Sequence, residues 1–410
     1  MTTEAPATPP RARIPHWYAD PRLRTGLIAS LALYAVLRLF GMLVLAVGSY
    51  HADRSVTERL LSWDGRWFAQ IAAHGYPGYI TLTDVHDETS GAYAFLPGYP
   101  FVVRLVSLVT GAVDSAGLLV TGIAGVVAAA GIYCYFTRLT GRIGVGVLAV
   151  GLWASMPMSI VLSMMYSEAL FVALAAWALY AVLAERWLTA GVLSLAAGLV
   201  RPSGLALGIA VIGAAVFYFV RRRGAPPADE PHPARVVVSA VLAVVGVPLW
   251  WLYVALDTGR VDGWFAVQDF YWGSHLDFGA SFAHGLWNAA TFVGLGRGSD
   301  SIGFVVYFAS VAGLLAALVP LVSLVLRSVR DARWIAPMLY ALVLLGMAIG
   351  SAGYLHSKLR FLVPIFPIVI PVAIVLVRTR RVTAVLVLTI LAMLSAWWGA
   401  FMLLVWPYAI

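Results

Sequence analysis

Apolar runs of bilayer length recur along this chain from residue 25 onwards and leave it few ways to fold. A helix needs about 20 apolar residues to cross a hydrocarbon core about 30 Å thick. Candidate runs lie at 25–48, 95–112, 116–136, 143–161, 168–184, 188–200, 204–220, 236–256, 302–326, 334–352, 361–377 and 382–404. Only 11% of the 410 residues are charged and 61% are hydrophobic, whereas a soluble domain carries about 25% charged residues. The expected fold is therefore an all-α polytopic membrane protein.

Three polar stretches interrupt the runs. Residues 49–92 are rich in His, Asp, Glu and aromatics, 221–235 open on three arginines and turn Pro-rich, and 257–301 mix aromatics, glycines and five aspartates. Residues 1–24 read as a disordered cytoplasmic tail, and 25–410 as one membrane domain. Arginine clusters at 22–24, 221–223, 327–333 and 378–381 mark the cytoplasmic side. On that assignment 49–92 and 257–301 fall outside, with Arg201-Pro202-Ser203-Gly204 and Ser357-Lys358-Leu359-Arg360 on the same face. If Arg138 and Arg142 are also cytoplasmic, residues 92–137 must cross an odd number of times. Eleven crossings, with 95–112 interfacial or re-entrant, satisfy that parity; twelve crossings need one cluster reassigned.

The segment 188–220 would be roughly 50 Å long as one helix, longer than the bilayer core. Arg201-Pro202 marks a break near its middle.

Net charge is +8, carried by arginines apart from the single Lys358. The clusters fit the positive-inside pattern rather than a nucleic-acid footprint, so no nucleic-acid partner is expected. With Ala, Val and Gly this usage points to a high-GC bacterial genome. The lone Cys134 excludes a disulfide framework or a cysteine metal site. Asp84-Val85-His86-Asp87-Glu88 lacks the spacing of a metal site, and no Walker, dinucleotide or zinc-protease motif is present. No metal or cofactor is expected.

Chemistry concentrates at the ends of the runs. Asp64 sits between Trp63 and Trp67 at an external membrane boundary. A carboxylate there can serve as general base, its pKa lifted by partial desolvation, or can be a solvated aspartate between interfacial tryptophans. Arg360 and Lys358 are external cations that break the positive-inside pattern. They can hold a phosphate or snorkel to lipid headgroups. Arg201 offers the same choice or bonds carbonyls freed at the helix break. Glu168 opens a span, where the helix dipole favours it. Phe95-Leu96-Pro97-Gly98-Tyr99-Pro100 reads as a shaped turn lining a groove or as a kinked helix entry. The aromatics and amides of 264–272 fit a sugar site or an interfacial belt.

Together these motifs resemble the PIG-V family of mannosyltransferases within the GT-C superfamily. The resemblance rests on Trp63-Asp64 with Phe68, Ile71-Ala72 and Gly75-Tyr76, on Ala94 to Pro100, and on Tyr166-Ser167-Glu168-Ala169-Leu170-Phe171. It continues through Arg201-Pro202-Ser203-Gly204, Gln268 with Tyr271-Trp272, and Arg360-Phe361 with Pro364 and Phe366-Pro367. It implies a GT-C-like bundle of about 11 transmembrane helices in a bacterial plasma membrane, with the site on the outer face. The donor it implies is a polyprenyl-phosphate mannose, transferred with inversion. Asp64 would be the base, and Arg360, Lys358 and Arg201 would hold the donor phosphate. Trp63, Tyr99, Glu168, Gln268, Tyr271 and Trp272 would line the substrate site. Leu96 and Gly98 depart from the eukaryotic pattern, as does Pro202, and the acceptor is expected to be an envelope glycolipid or lipoglycan. The rival classes are a flippase of lipid-linked sugars, which would carry polar residues at mid-membrane, and a non-catalytic partner of another transferase.

Overall fold

A computed structural model describes residues 20–78, 88–222, 232–293 and 299–410. Helix α1 (Pro21–His51) opens with Pro at its first position and an Asp20 carboxylate accepting from the Arg22 amide at 2.8 Å, a pairing suited to a helix start. Only 17% of its most apolar window is buried, and Leu39 and Leu43 point outward. An apolar face of that size is stable against lipid rather than water. The short α2 (Val56–Leu60) and the amphipathic α3 (Asp64–His74) follow, and a 3₁₀ turn, Glu88–Ala94, leads to α4 (Gly98–Thr110).

The centre of the bundle is α5 (Val113–Thr140), 61% buried over its most apolar window. Its small residues, Gly117, Ala124, Gly125, Ala128 and Ala129, let neighbours approach closely. Around it pack α1, α4, α6 (Ile143–Ala154) and α7 (Glu168–Leu183). Beyond α7 lie α8 (Trp187–Val200), α9 (Gly204–Arg222) and α10 (Pro233–Thr258). The pair α8 and α10 is the most extensive in the molecule. A Cβ on Gly246 would stand 2.5 Å from the Leu195 carbonyl oxygen, so the two backbones meet only because this residue is glycine.

Within the stretch 257–301, read as polar, the described residues include α11 (Gly263–Trp272) and α12 (Ala280–Thr291). The long α13 (Ser299–Arg330) and α14 (Ile335–Gly350) come next. A single bridge between Leu276 and Ser351 ties the α11–α12 connection to the end of α14. The chain then passes through the 3₁₀ segments Leu355–Leu362 and Phe366–Ile368 into α15 (Val369–Leu376), and ends with α16 (Arg381–Leu404).

Among the described residues seven helices are long and apolar enough to cross a membrane. An eighth crossing results if Leu355–Leu362 and Phe366–Leu376, bent by 67°, count as one span. Four shorter apolar helices, α4, α6, α7 and α8, make up the rest. The expectation of about eleven crossings therefore turns on how these short helices meet the bilayer. The break at Arg201-Pro202 is present: α8 ends at Val200, Arg201 is extended, and α9 begins at Gly204.

Arg38 is a charge inside a span. Its guanidinium donates to the Ala154 and Ser159 carbonyls and, at 2.7 Å, to Ser159 Oγ. Helix α6 ends at Ala154, whose carbonyl has no partner within the helix, and Arg38 supplies one. Ser395 donates to the nearby Met156 carbonyl at 2.6 Å.

Candidate active site

Trp63 precedes α3 with φ of +53°, a conformation costly to a residue with a side chain. Packing against the core holds it there. The hydrogen bond from the Met165 amide to the Leu60 carbonyl (3.0 Å) fixes the preceding turn against the segment that leads into α7. The result puts Asp64 at the first position of α3, where a helix N-terminus favours a carboxylate.

Arg360 Nη1 donates to Asp64 Oδ2 at 2.7 Å. The two side chains are only 12% and 15% exposed. Arg360 Nε lies 3.8 Å from Glu168 Oε1, and the guanidinium covers the Tyr166 ring at 5.3 Å. Glu168, wholly buried at the start of α7, also pairs with Arg201 Nη1 at 2.8 Å. Arg201 Nη1 in turn donates to Ser167 Oγ at 2.9 Å. Two carboxylates and two guanidiniums thus form one cluster whose formal charges cancel. Burial of each is tolerable only because the others are present. Burial raises the Asp64 pKa above the ordinary 3.8; Arg360 opposes that shift, Glu168 adds to it, and Arg201 opposes it.

Asp64, Arg360, Arg201 and Glu168 therefore meet, although they come from four separate parts of the chain. Lys358 is directed elsewhere: it is buried, donates to the Ser351 carbonyl, and feels the charge of Asp277. Tyr99 is also buried, with its hydroxyl donating to the Gly117 carbonyl at 3.0 Å and paired with Thr121 Oγ1 at 2.8 Å. It joins α4 to α5. Gln268 Nε2 donates to the Ala94 carbonyl at 3.1 Å, which pins α11 to the 3₁₀ turn. Trp272 meets Trp67 and Phe95 edge-on at 6.0 and 5.5 Å, Trp67 stacks on Phe95 at 5.8 Å, and Tyr271 lies against Trp272 at 5.5 Å. The aromatics of α3, the 3₁₀ turn and α11 form one wall, with Trp67 three residues along α3 from Asp64.

Two cavities adjoin this end of the bundle. One, of about 640 Å³, is lined by Trp63, Trp67, Ser62, Gln70, three arginines (Arg54, Arg59, Arg66) and the chain from Leu404 to Pro407. The other, of about 810 Å³, is lined by α12, the start of α13, Tyr354, His356 and Val405–Tyr408. The three arginines were not singled out in the sequence. The signal was available, because on the orientation expected from the sequence these basic residues break the positive-inside pattern as Arg360 does. Among the described residues no three His, Cys, Asp or Glu side chains gather as a metal site; Asp84, His86 and Asp87 lie outside the described residues.

Fold and site together define an all-α, multi-pass membrane protein with a buried carboxylate–guanidinium cluster at one end of its helices. Residues 94–251, less than half of the chain, match the family model described as dolichyl-phosphate-mannose-protein mannosyltransferase. The apo oligosaccharyltransferase of Archaeoglobus fulgidus is similar at 13% identity, with TM-score 0.48 over 92% of this chain and 55% of its own. ArnT of Cupriavidus metallidurans, in its structure bound to undecaprenyl phosphate, is similar at 15% identity, with TM-score 0.49 over 87% of this chain and 63% of its own. The chain thus spans little more than half the length of these proteins. A comparison with curated proteins gives no match.

Proposed function

We propose that this chain is a GT-C membrane glycosyltransferase that moves mannose from a polyprenyl-phosphate donor to a hydroxyl of an envelope glycolipid or lipoglycan. The observation that carries the reading is the desolvated Asp64 carboxylate, held 2.7 Å from Arg360 at the end of the bundle. The family match over 94–251, whose description names a dolichyl-phosphate mannose enzyme, supports the donor class. The PIG-V-like resemblance supports the sugar, and its motif residues Asp64, Glu168, Arg201 and Arg360 lie in one cluster.

In this reading the acceptor approaches from the outer aqueous side of a bacterial plasma membrane, and the N-terminus is cytoplasmic. Asp64 takes the proton of the acceptor hydroxyl as its oxygen bonds to C1 of the sugar. The C1–O bond to phosphate breaks on the opposite side of C1, which inverts the anomeric centre. The bonding electrons leave with the polyprenyl phosphate. Arg360 and Arg201 stabilise that departing charge, and fixed positive groups in a water-poor site are effective in this role. Glu168 acts by holding both guanidiniums in position. Lys358 adds positive potential to the face from its seat on Ser351. Trp63, Trp272 and Tyr271 offer ring faces to the sugars, while Tyr99 and Gln268 shape the site through α4 and α11. Membrane lipids surround the donor tail.

Donor choice tests the reading. Purified protein with a total-lipid acceptor extract should transfer label from polyprenyl-phosphate mannose and not from a nucleotide-linked mannose. Transfer from the nucleotide sugar alone would refute it.

A further inference from the structure

The Asp64–Arg360–Glu168–Arg201 cluster is formally neutral, its two guanidiniums balanced by two carboxylates. Positive charge without a carboxylate partner lies nearby. Arg54, Arg59 and Arg66 line one cavity of about 640 Å³ together with Ser62, Trp63 and Trp67. Among the described residues none of the three arginine side chains has a carboxylate partner. The Arg59 Nε is buried without any hydrogen-bond acceptor, whereas Arg54 and Arg66 are exposed to the cavity mouth. A guanidinium nitrogen buried without an acceptor is costly, and the same residue lines a space large enough for a ligand. Trp63, next to Asp64 in sequence, lines the cavity, while Asp64 itself does not.

We infer that this cavity binds a phosphate ester through Arg54, Arg59 and Arg66. Guanidinium forks match phosphate oxygens in geometry as well as charge. Ser62 and Gln70 add neutral polar groups, and the faces of Trp63 and Trp67 suit an adjoining sugar. Two sources share this chemistry: a phosphate on the acceptor, or the phosphate of the lipid-linked donor. The inference builds on the glycosyltransferase reading for its biological role, but the site itself is read by binding and needs no turnover.

The test uses the full chain in nanodiscs, with farnesyl phosphate, farnesol, mannose 6-phosphate and mannose as probes. A phosphorylated probe should bind at least about tenfold tighter than its uncharged counterpart, as expected for hydrogen bonds to charged groups. Arg59→Gln should weaken its binding about tenfold or more, with Arg59→Lys recovering part. Arg54→Gln with Arg66→Gln provides a second variant at exposed positions, where folding is preserved. Preference for farnesyl phosphate assigns the site to the donor, and preference for mannose 6-phosphate assigns it to the acceptor. Equal binding of charged and uncharged probes would overturn the inference, as would unchanged phosphate binding in both folded variants. Phosphate binding by a protein that transfers no sugar would keep the site and refute the catalytic reading alone.

Discussion

Asp64 and Arg360 are 296 residues apart in sequence and share a hydrogen bond of 2.7 Å in a site where both are largely buried. The contact joins the start of α3 to the bend before α15. On the orientation expected from the arginine clusters, it gives a reason for a cation on the side where the positive-inside pattern disfavours one. It also gives Asp64 two opposing influences, since burial favours the neutral acid and Arg360 favours the carboxylate.

Arg360 should therefore matter to both rate and fold. Arg360→Gln leaves two carboxylates facing one guanidinium and removes a group from the departing phosphate. A loss of about 100-fold or more in kcat is expected, the scale seen when one stabilising donor is removed. Arg360→Lys should recover part of the rate. Single-turnover transfer by each purified variant measures this, and a folded Arg360→Gln enzyme with full kcat would remove Arg360 from the chemistry.

As the proposed base, Asp64 must be ionised to accept a proton, and its pKa lies above the ordinary 3.8 because burial outweighs Arg360. Activity is thus lost as pH falls through that raised value, and the acidic limb of the kcat/KM profile should sit above the usual aspartate range. Removing Arg360 takes away a lowering influence, so the limb in Arg360→Gln should move to still higher pH. A limb that stays put in the variant would show that another group titrates there.

Glu168 is wholly buried and balances Arg201 directly and Arg360 at longer range. Breaking a buried pair by removing one partner costs about 3–5 kcal/mol. Glu168→Gln should lower the unfolding midpoint in detergent markedly, while Glu168→Gln with Arg201→Gln should cost less than the sum of the single changes. Strict additivity of the two would contradict a coupled cluster.

Gly98 begins α4 against the end of α8. A Cβ there would lie 2.8 Å from the Leu199 carbonyl oxygen and 2.8 Å from Val200 Cγ2. Gly98→Ala must push apart the two segments that carry Tyr99 and Arg201. Overpacking of this kind costs about 1–3 kcal/mol, and both the unfolding midpoint and the transfer rate should fall. A stable, fully active Gly98→Ala protein would mean that the α4–α8 contact is not needed to position Arg201.

Hydropathy carried much of the architecture. The run at 204–220 is α9, and the break before it follows from a proline that cannot donate a helical hydrogen bond. Asp64 stood out because an acid framed by tryptophans is unusual at a membrane boundary. Depth in the membrane is legible in one dimension, but rotation about a helix axis and long-range pairing are not. Tyr99, expected to line a groove, turns its hydroxyl into α5. Lys358, two residues before Arg360, is directed to Ser351. Arg38 sat unnoticed in an apolar run because its acceptors belong to residues more than a hundred positions away. The helices α11 and α12 were hidden in a stretch whose aromatics and glycines give no sustained period.

The most direct test of the central claim compares wild type with Asp64→Asn in transfer of radiolabelled mannose from its polyprenyl phosphate to a total-lipid acceptor extract. Asn keeps the shape of the side chain and a hydrogen-bond acceptor for Arg360 but removes one charge of the buried pair, so transfer is compared at a temperature where the unfolding curves show both proteins folded. The account predicts transfer by the wild type and a loss of about 10²-fold to 10⁴-fold in the variant, the range for removing a general base. Transfer by folded Asp64→Asn at the wild-type rate would contradict it.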